Sequence, residues 1–127
     1  MILPIVTIAP SQHRGRGVFA TENIPAGTMI EISPVLVLSA AERTEVEKTL
    51  LYDYIFEWGE DNTQCCVALG YVSMYNHSYK ANCDYQMDFE EERISITTVR
   101  DIEAGEELFI NYNAEPESEN LVWFETK

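Results

Sequence analysis

The 127-residue sequence predicts a mainly β domain built from several small, curved antiparallel sheets with one short helical insert. Three observations carry this. Its apolar runs are short, rich in β-branched and aromatic residues, and bounded by Gly, Pro, Asn and Asp. Only one window, which begins at Ser39, has helical spacing. The chain has the length of a single domain, and folding at this size buries roughly 70% of the extended surface, enough for one core. A hydrophobic content of 46% with seven Tyr, five Phe and two Trp is far from a disordered profile.

Taken in order, Ile5 to Ile8 reads as a strand, SQHRGRG as a turn-like segment, and Val18 and Phe19 as part of a second short strand. IPAG (Ile24 to Gly27) is a turn before an extended run from Thr28 to Ile32, which Pro34 is expected to separate from Val35 to Leu38. Ser39 opens a capping box with Glu42, in which each residue satisfies a backbone amide of the other. Val46, Leu50, Leu51, Tyr54 and Ile55 follow at helical spacing, so a helix is expected over about 40–52. CCVALG is a short apolar strand. Asp84 to Phe89 and Arg93 to Val99 flank a charged tip as a hairpin. IEAG (Ile102 to Gly105) repeats the chemistry of IPAG, too short a match to count as an internal repeat. Leu108 and Ile110 alternate in a last strand that ends near Tyr112, whose phenol is expected on their side, filling core or lining a cleft. Residues 114–119 read as an acidic loop before LVWF at 121–124.

The 22 acidic residues against 8 Lys and Arg give a net charge of −14. Such a field repels nucleic acid phosphates and anionic membranes and favours basic partners. Cys65, Cys66 and Cys83 have the spacing of neither a disulfide framework nor a four-ligand zinc site. The N-terminal apolar run lacks a basic flank and a cleavage signal and is bracketed by Pro4 and Pro10, so a first strand is expected rather than a signal peptide. An intracellular, soluble setting follows as the expectation.

The stretch MYNHSYKANC (Met74 to Cys83) concentrates polar and ligating residue types. His77 and Cys83 have no metal-ligand partners at recognisable spacing, so no metal is expected; a Cys–His nucleophile or a structural histidine both fit His77. GRG at 15–17 lets backbone approach a ligand closely, although it lacks the third Gly and the helix of a dinucleotide fingerprint.

In this order, three segments resemble the SET domain family of lysine methyltransferases. GRGVFA is similar to the family's N-terminal GxG segment, NHSYKAN with Cys83 to its NHSxxPNC motif, and GEELFINY to its GEEL-strand-Tyr motif. The resemblance runs from about Val6 to Tyr112 and is nearest to short stand-alone members such as the small viral histone methyltransferases. It implies a SET fold, with sheets around a pseudoknot in which the NHS segment and the strand before Tyr112 pass one another, and S-adenosyl-L-methionine as methyl donor. It implies that backbone at Arg16 and Gly17 meets the methionine part of the donor, that Asn76 contacts its amino group and that the main chain at His77 reads its adenine. Tyr112 would carry the catalytic hydroxyl, with Tyr85 as a second channel tyrosine. Ile110, Tyr54, Phe56 and Trp58 are the candidates for contact with substrate, the last three with packing on the core as their alternative. Residues 113–127 would close the pocket in place of a zinc-bearing segment, with Trp123 or Phe124 as the lid. The acceptor would be a lysine of a basic, histone-like protein, and a homodimer would complete the groove of so small a domain. The nucleus joins the cytoplasm as a setting if the host is eukaryotic. Ala81 replaces the motif's Pro, and Asn113 and Ala114 stand where many members have Gly and a further tyrosine, so the alternative is a catalytically silent module that binds basic tails.

Overall fold

The structure is a computed structural model and describes residues 1–12 and 15–112. Along the chain the elements are β1 (Val6–Pro10), β2 (Arg16–Ala20), β3 (Met29–Leu38), α1 (Ala40–Val46), a 3-10 turn (Leu50–Asp53), β4 (Ile55–Trp58) and β5 (Gln64–Ala68). A second 3-10 turn (Val72–Met74), β6 (Asn76–His77), β7 (Cys83–Asp88), β8 (Arg93–Thr98) and β9 (Glu107–Ile110) follow. They form a five-stranded sheet of order β4-β5-β3-β8-β7 and a four-stranded sheet of order β1-β2-β9-β6. All pairings are antiparallel except β6 with β9. The mainly β architecture with a short helical insert is thus as the sequence predicts.

Two local expectations are corrected. Pro34 does not divide β3, because it stands where the strand changes partner: Met29 to Pro34 pair with β8, and Val35 to Leu38 with β5. Its carbonyl still accepts the Leu69 amide at 3.0 Å, and the missing N–H costs the ladder little at a change of partner. The helix is also shorter than its spacing suggests. The Ser39–Glu42 capping box forms, but no residue of α1 is buried and Leu50 is 80% exposed. Without a buried apolar face its tertiary support is polar and local to Arg43, which donates to the Asn62 and Gln64 carbonyls at 2.7 and 3.2 Å. Thr49 then takes the Leu51 amide with its side chain and starts the 3-10 turn.

The IPAG and IEAG turns meet. Ile24 and Ile102 exchange both backbone hydrogen bonds, at 2.9 and 2.8 Å, and both are buried. The residue before each isoleucine holds the opposite turn, with Asp101 accepting from the Ala26 amide and Asn23 from the Ala104 amide, each at 2.9 Å. The similarity of the two segments is therefore a spatial pairing, which anchors the chain after β2 and before β9.

The core is apolar and aromatic. Phe56 lies 5.5 Å, ring to ring, from Tyr85 and 5.9 Å from Tyr112, while Trp58 meets Phe89 edge-on at 4.8 Å. Cys66 and Cys83 are fully buried, and burial pushes both thiols up to about 12. These raised values mean that the folded state keeps its thiol protons after the unfolded chain has lost them. The thiols therefore leave stability unchanged below about pH 8.5 and reduce it as pH rises from there towards 12. The urea midpoint is expected to fall over that window, and a Cys66→Ala, Cys83→Ala variant is expected to lose part of the fall. No helix among the described residues is long and apolar enough to cross a membrane.

Candidate active site

The site is assembled where β6 runs beside β9. Asn76 pairs with Phe109 and His77 with Ile110, and the Ser78 amide continues the contact to the Ile110 carbonyl at 3.1 Å. A parallel ladder this short has little strength, so side chains hold it. Asn82 gives its amide N–H to the Glu107 carbonyl at 2.9 Å and accepts the Phe109 amide at 2.7 Å. His77 accepts the Tyr112 amide on Nδ1 at 3.1 Å. Asn82 thus fastens the segment after β6 to β9, and His77 fastens β6 to the chain just beyond β9.

Next to this crossing lies a cavity of about 240 Å³ lined by Gly15, Arg16, Asp53, Tyr54, Ser73, Met74, Asn76, His77 and Tyr112. Five residues singled out in the sequence therefore share one wall system: Arg16, Asn76, His77, Tyr112 and Tyr54. Asn76 is oriented on two sides, donating from Nδ2 to the Arg16 carbonyl at 3.2 Å and to Glu107 Oε2 at 2.8 Å. The other oxygen of Glu107 accepts the Ser11 hydroxyl at 2.7 Å. Gly17 stands against this group; a Cβ there would run into the Glu107 carboxylate and come within 3.0 Å of Asn76 Nδ2. Glycine at 17 is therefore a requirement of close approach, with Asn76 as the group that benefits.

Tyr112 lies just beyond β9, and its hydroxyl donates to the Tyr75 carbonyl at 2.7 Å. Its ring packs on the core as well as lining the cavity, so it does both of the things its sequence position left open. Tyr85, on β7, donates its hydroxyl to the Tyr112 carbonyl at 3.0 Å. Phe56 meets the Tyr85 ring at a tilt and the Tyr112 ring edge-on, while Trp58 and Ile110 are buried and are not among the residues that line the cavity. Trp123 lies outside the described residues.

The sequence reading passed over Glu107, Asp53, Ser73 and Tyr75. Glu107 had a signal of its own, since a carboxylate at the start of an inward-facing strand needs donors. Asp53 and Ser73 had none, because each reaches the cavity only through a 3-10 turn. Cavity chemistry is mixed: Arg16, Asp53, Ser73, Asn76 and His77 stand among Met74, Tyr54 and Tyr112. Such a set suits a ligand with an amino-acid end and an apolar body.

Comparison with known proteins agrees with this geometry. The SET domain family model matches residues 15–113. "Histone-lysine N-methyltransferase, H3 lysine-37 specific" of Schizosaccharomyces pombe is 38% identical over 130 residues, covering 98% of this chain and 83% of that protein. Among solved structures, a candidate histone methyltransferase of Plasmodium falciparum is 27% identical with a TM-score of 0.65, covering 87% of this chain and 98% of that one. A chain of a Chaetomium thermophilum Polycomb Repressive Complex 2 mutant bound to an inhibitor is 27% identical with a TM-score of 0.73, covering 91% of this chain and 16% of that one. These relatives are fungal and protozoan, so the likeness does not single out the small viral members. On the family match and the curated relative together, the chain belongs to the SET domain family.

Proposed function

We propose that this chain is an S-adenosyl-L-methionine-dependent protein-lysine N-methyltransferase that modifies a basic, histone-like protein. The observation that carries the reading is the Tyr112 hydroxyl, held on the Tyr75 carbonyl in the wall of a cavity that also holds Arg16 and Asn76. The residues present fit the donor: Arg16 and Asp53 offer opposite charges to an amino-acid zwitterion, Asn76 is preset as a hydrogen-bonding group, and Met74 and Tyr54 offer apolar surface. The donor, when bound, supplies a methyl group activated on a sulfonium.

The protein's own residues then have three tasks. One is alignment, because an in-line displacement needs its reacting atoms held close and collinear. The Tyr112 hydroxyl and the Tyr75 carbonyl next to it are the polar atoms available for that, and Tyr85 fixes the Tyr112 backbone from behind. A second is exclusion of water, for which the Tyr112 ring lines the cavity and is backed by Phe56, which also meets Tyr85. The third is the state of the lysine amine, of which only about one in a few thousand is neutral at pH 7 in water. An apolar channel and a nearby positive charge both favour proton loss, so no dedicated base is needed.

Trp123 is proposed as the lid over this cavity. The net charge of −14 supports a basic acceptor through complementary fields, and a chromatin-bearing compartment is the proposed setting. Pairing of two copies would extend the acceptor groove, and sedimentation of the full chain reads it.

Calorimetric titration of S-adenosyl-L-methionine into the wild-type chain and Gly17→Ala tests the donor site. The wild type is expected to bind, and the variant to lose about tenfold or more in affinity, because the added Cβ displaces Glu107 and with it Asn76. Absent binding to the wild type, or equal binding to both, contradicts the assignment. A wild type that binds the donor and basic proteins but transfers no methyl would identify the silent module instead.

A further inference from the structure

Glu31 lies in the middle of β3 with no exposed surface. Strict alternation along Met29–Leu38 would have sent it to the opposite face from Ile30. A register irregularity between Met29 and Glu31 places both Ile30 and Glu31 inside. Among the described residues no Lys or Arg pairs with its carboxylate. Oε1 accepts the Tyr75 hydroxyl at 3.0 Å, and Oε2 accepts the Ser33 hydroxyl and the Tyr71 backbone amide, each at 2.7 Å. Gly70 makes room for this: its φ is +90°, and a Cβ there would come within 2.7 Å of Oε2. Burying a carboxylate without a countercharge is costly even when every oxygen is hydrogen-bonded, so stability alone gives poor grounds for keeping it.

Its contacts fall at the two ends of one segment. Tyr71 and Tyr75 flank the 3-10 turn Val72–Met74, whose Ser73 and Met74 line the cavity. Tyr75 is itself wholly buried, and burial, with the Glu31 charge next, holds its phenol well above the usual range and therefore protonated as a donor. Tyr75 also supplies the carbonyl that receives the Tyr112 hydroxyl and is followed directly by Asn76. A continuous chain of contacts runs from Glu31 through the Tyr75 ring and backbone to the Tyr112 hydroxyl. None of its members between Glu31 and Tyr112 is free to rotate, because each is packed in the core or pinned at both ends.

We infer that Glu31 is a positioning residue of the methyl-transfer site: its buried carboxylate clamps both ends of the segment Tyr71–Tyr75 and so sets where the Tyr75 carbonyl holds the Tyr112 hydroxyl. The inference rests on the function proposed above. It assigns the Tyr75 phenol a part in aiming Tyr112 that its burial alone does not require.

The test compares Tyr75→Phe, which removes only the donor to Oε1, with Tyr112→Phe and with the double variant. Recombinant core histones and S-adenosyl-L-methionine serve as probes. Tyr75→Phe is expected to keep donor affinity and acceptor KM within about threefold while kcat falls about tenfold, as a small misplacement near a reacting centre would cause. The double variant is expected to be no slower than Tyr112→Phe alone, because both changes act through the same hydroxyl. A purely structural Tyr75 would lower Tm, leave kcat unchanged, and multiply rather than merge with Tyr112→Phe; any of the last two results overturns the inference. If Tyr75→Phe does not fold, Glu31→Gln, which keeps the size and one acceptor oxygen, is read by the same cycle with the same outcomes. A wild type that methylates nothing defeats the proposed function and this inference together. An active wild type with kcat unaltered by Tyr75→Phe or by Glu31→Gln defeats this inference alone.

Discussion

Tyr112→Phe is expected to lower kcat by about 100-fold, in the range found when one preset donor is removed from a reacting centre. Donor affinity and fold are expected to stay close to wild type. The ring of Tyr112 packs against Phe56 and His77, and a phenylalanine keeps those contacts. Only the hydroxyl is lost, and with it the 2.7 Å hydrogen bond to the Tyr75 carbonyl. A net contribution of about 1 kcal/mol is usual for such a bond, so Tm should fall by only a few degrees. Single-turnover kinetics at saturating donor separate the two effects. Unchanged kcat would remove the Tyr112 hydroxyl from the chemistry, and a collapse of donor binding would make the residue structural.

Asn82→Ala is expected to have the largest effect on stability, about 3 kcal/mol, because it takes the partner from two part-buried backbone groups at once. Asn82 is 2% exposed and takes both the Phe109 N–H and the Glu107 carbonyl with one carboxamide. Alanine can satisfy neither. For a domain of this size the loss corresponds to a fall in Tm of about 10 °C. Because β6 carries Asn76 and His77, and Tyr112 follows directly on β9, donor affinity should fall along with stability. Thermal unfolding and donor titration on the same preparation check both. A Tm within about 2 °C of wild type would show that the crossing is held elsewhere.

Much of this was legible in the residues. Short β-branched runs punctuated by turn residues gave the strands, and the hairpin of β7 and β8 was placed within a residue at each end. The three motifs brought Arg16, Asn76, His77 and Tyr112 to one cavity, although they lie up to 96 positions apart. What failed did so for local reasons. Leu50 and Leu51 kept helical spacing without a surface to bury it, so α1 ends at Val46. Phe56 and Trp58 are both buried, the packing alternative that an aromatic run leaves open beside a cleft. Glu31 was invisible, since a carboxylate in a strand reads as solvent-facing and its partners Tyr71 and Tyr75 lie 40 and 44 positions away. Tyr75 was hidden by its neighbours: beside Asn76 and His77 it reads as a spacer, and only the fold reveals that its ring reaches a carboxylate 44 positions earlier.

The most direct measurement is tandem mass spectrometry of recombinant core histones incubated with S-adenosyl-L-methionine and either the wild-type chain or Tyr112→Phe. The account predicts methyl groups on lysine side chains with the wild type, at a rate at least tenfold above that of the variant. Methylation of equal extent with both proteins, or a wild type that binds the donor yet leaves every lysine unmodified, would contradict it.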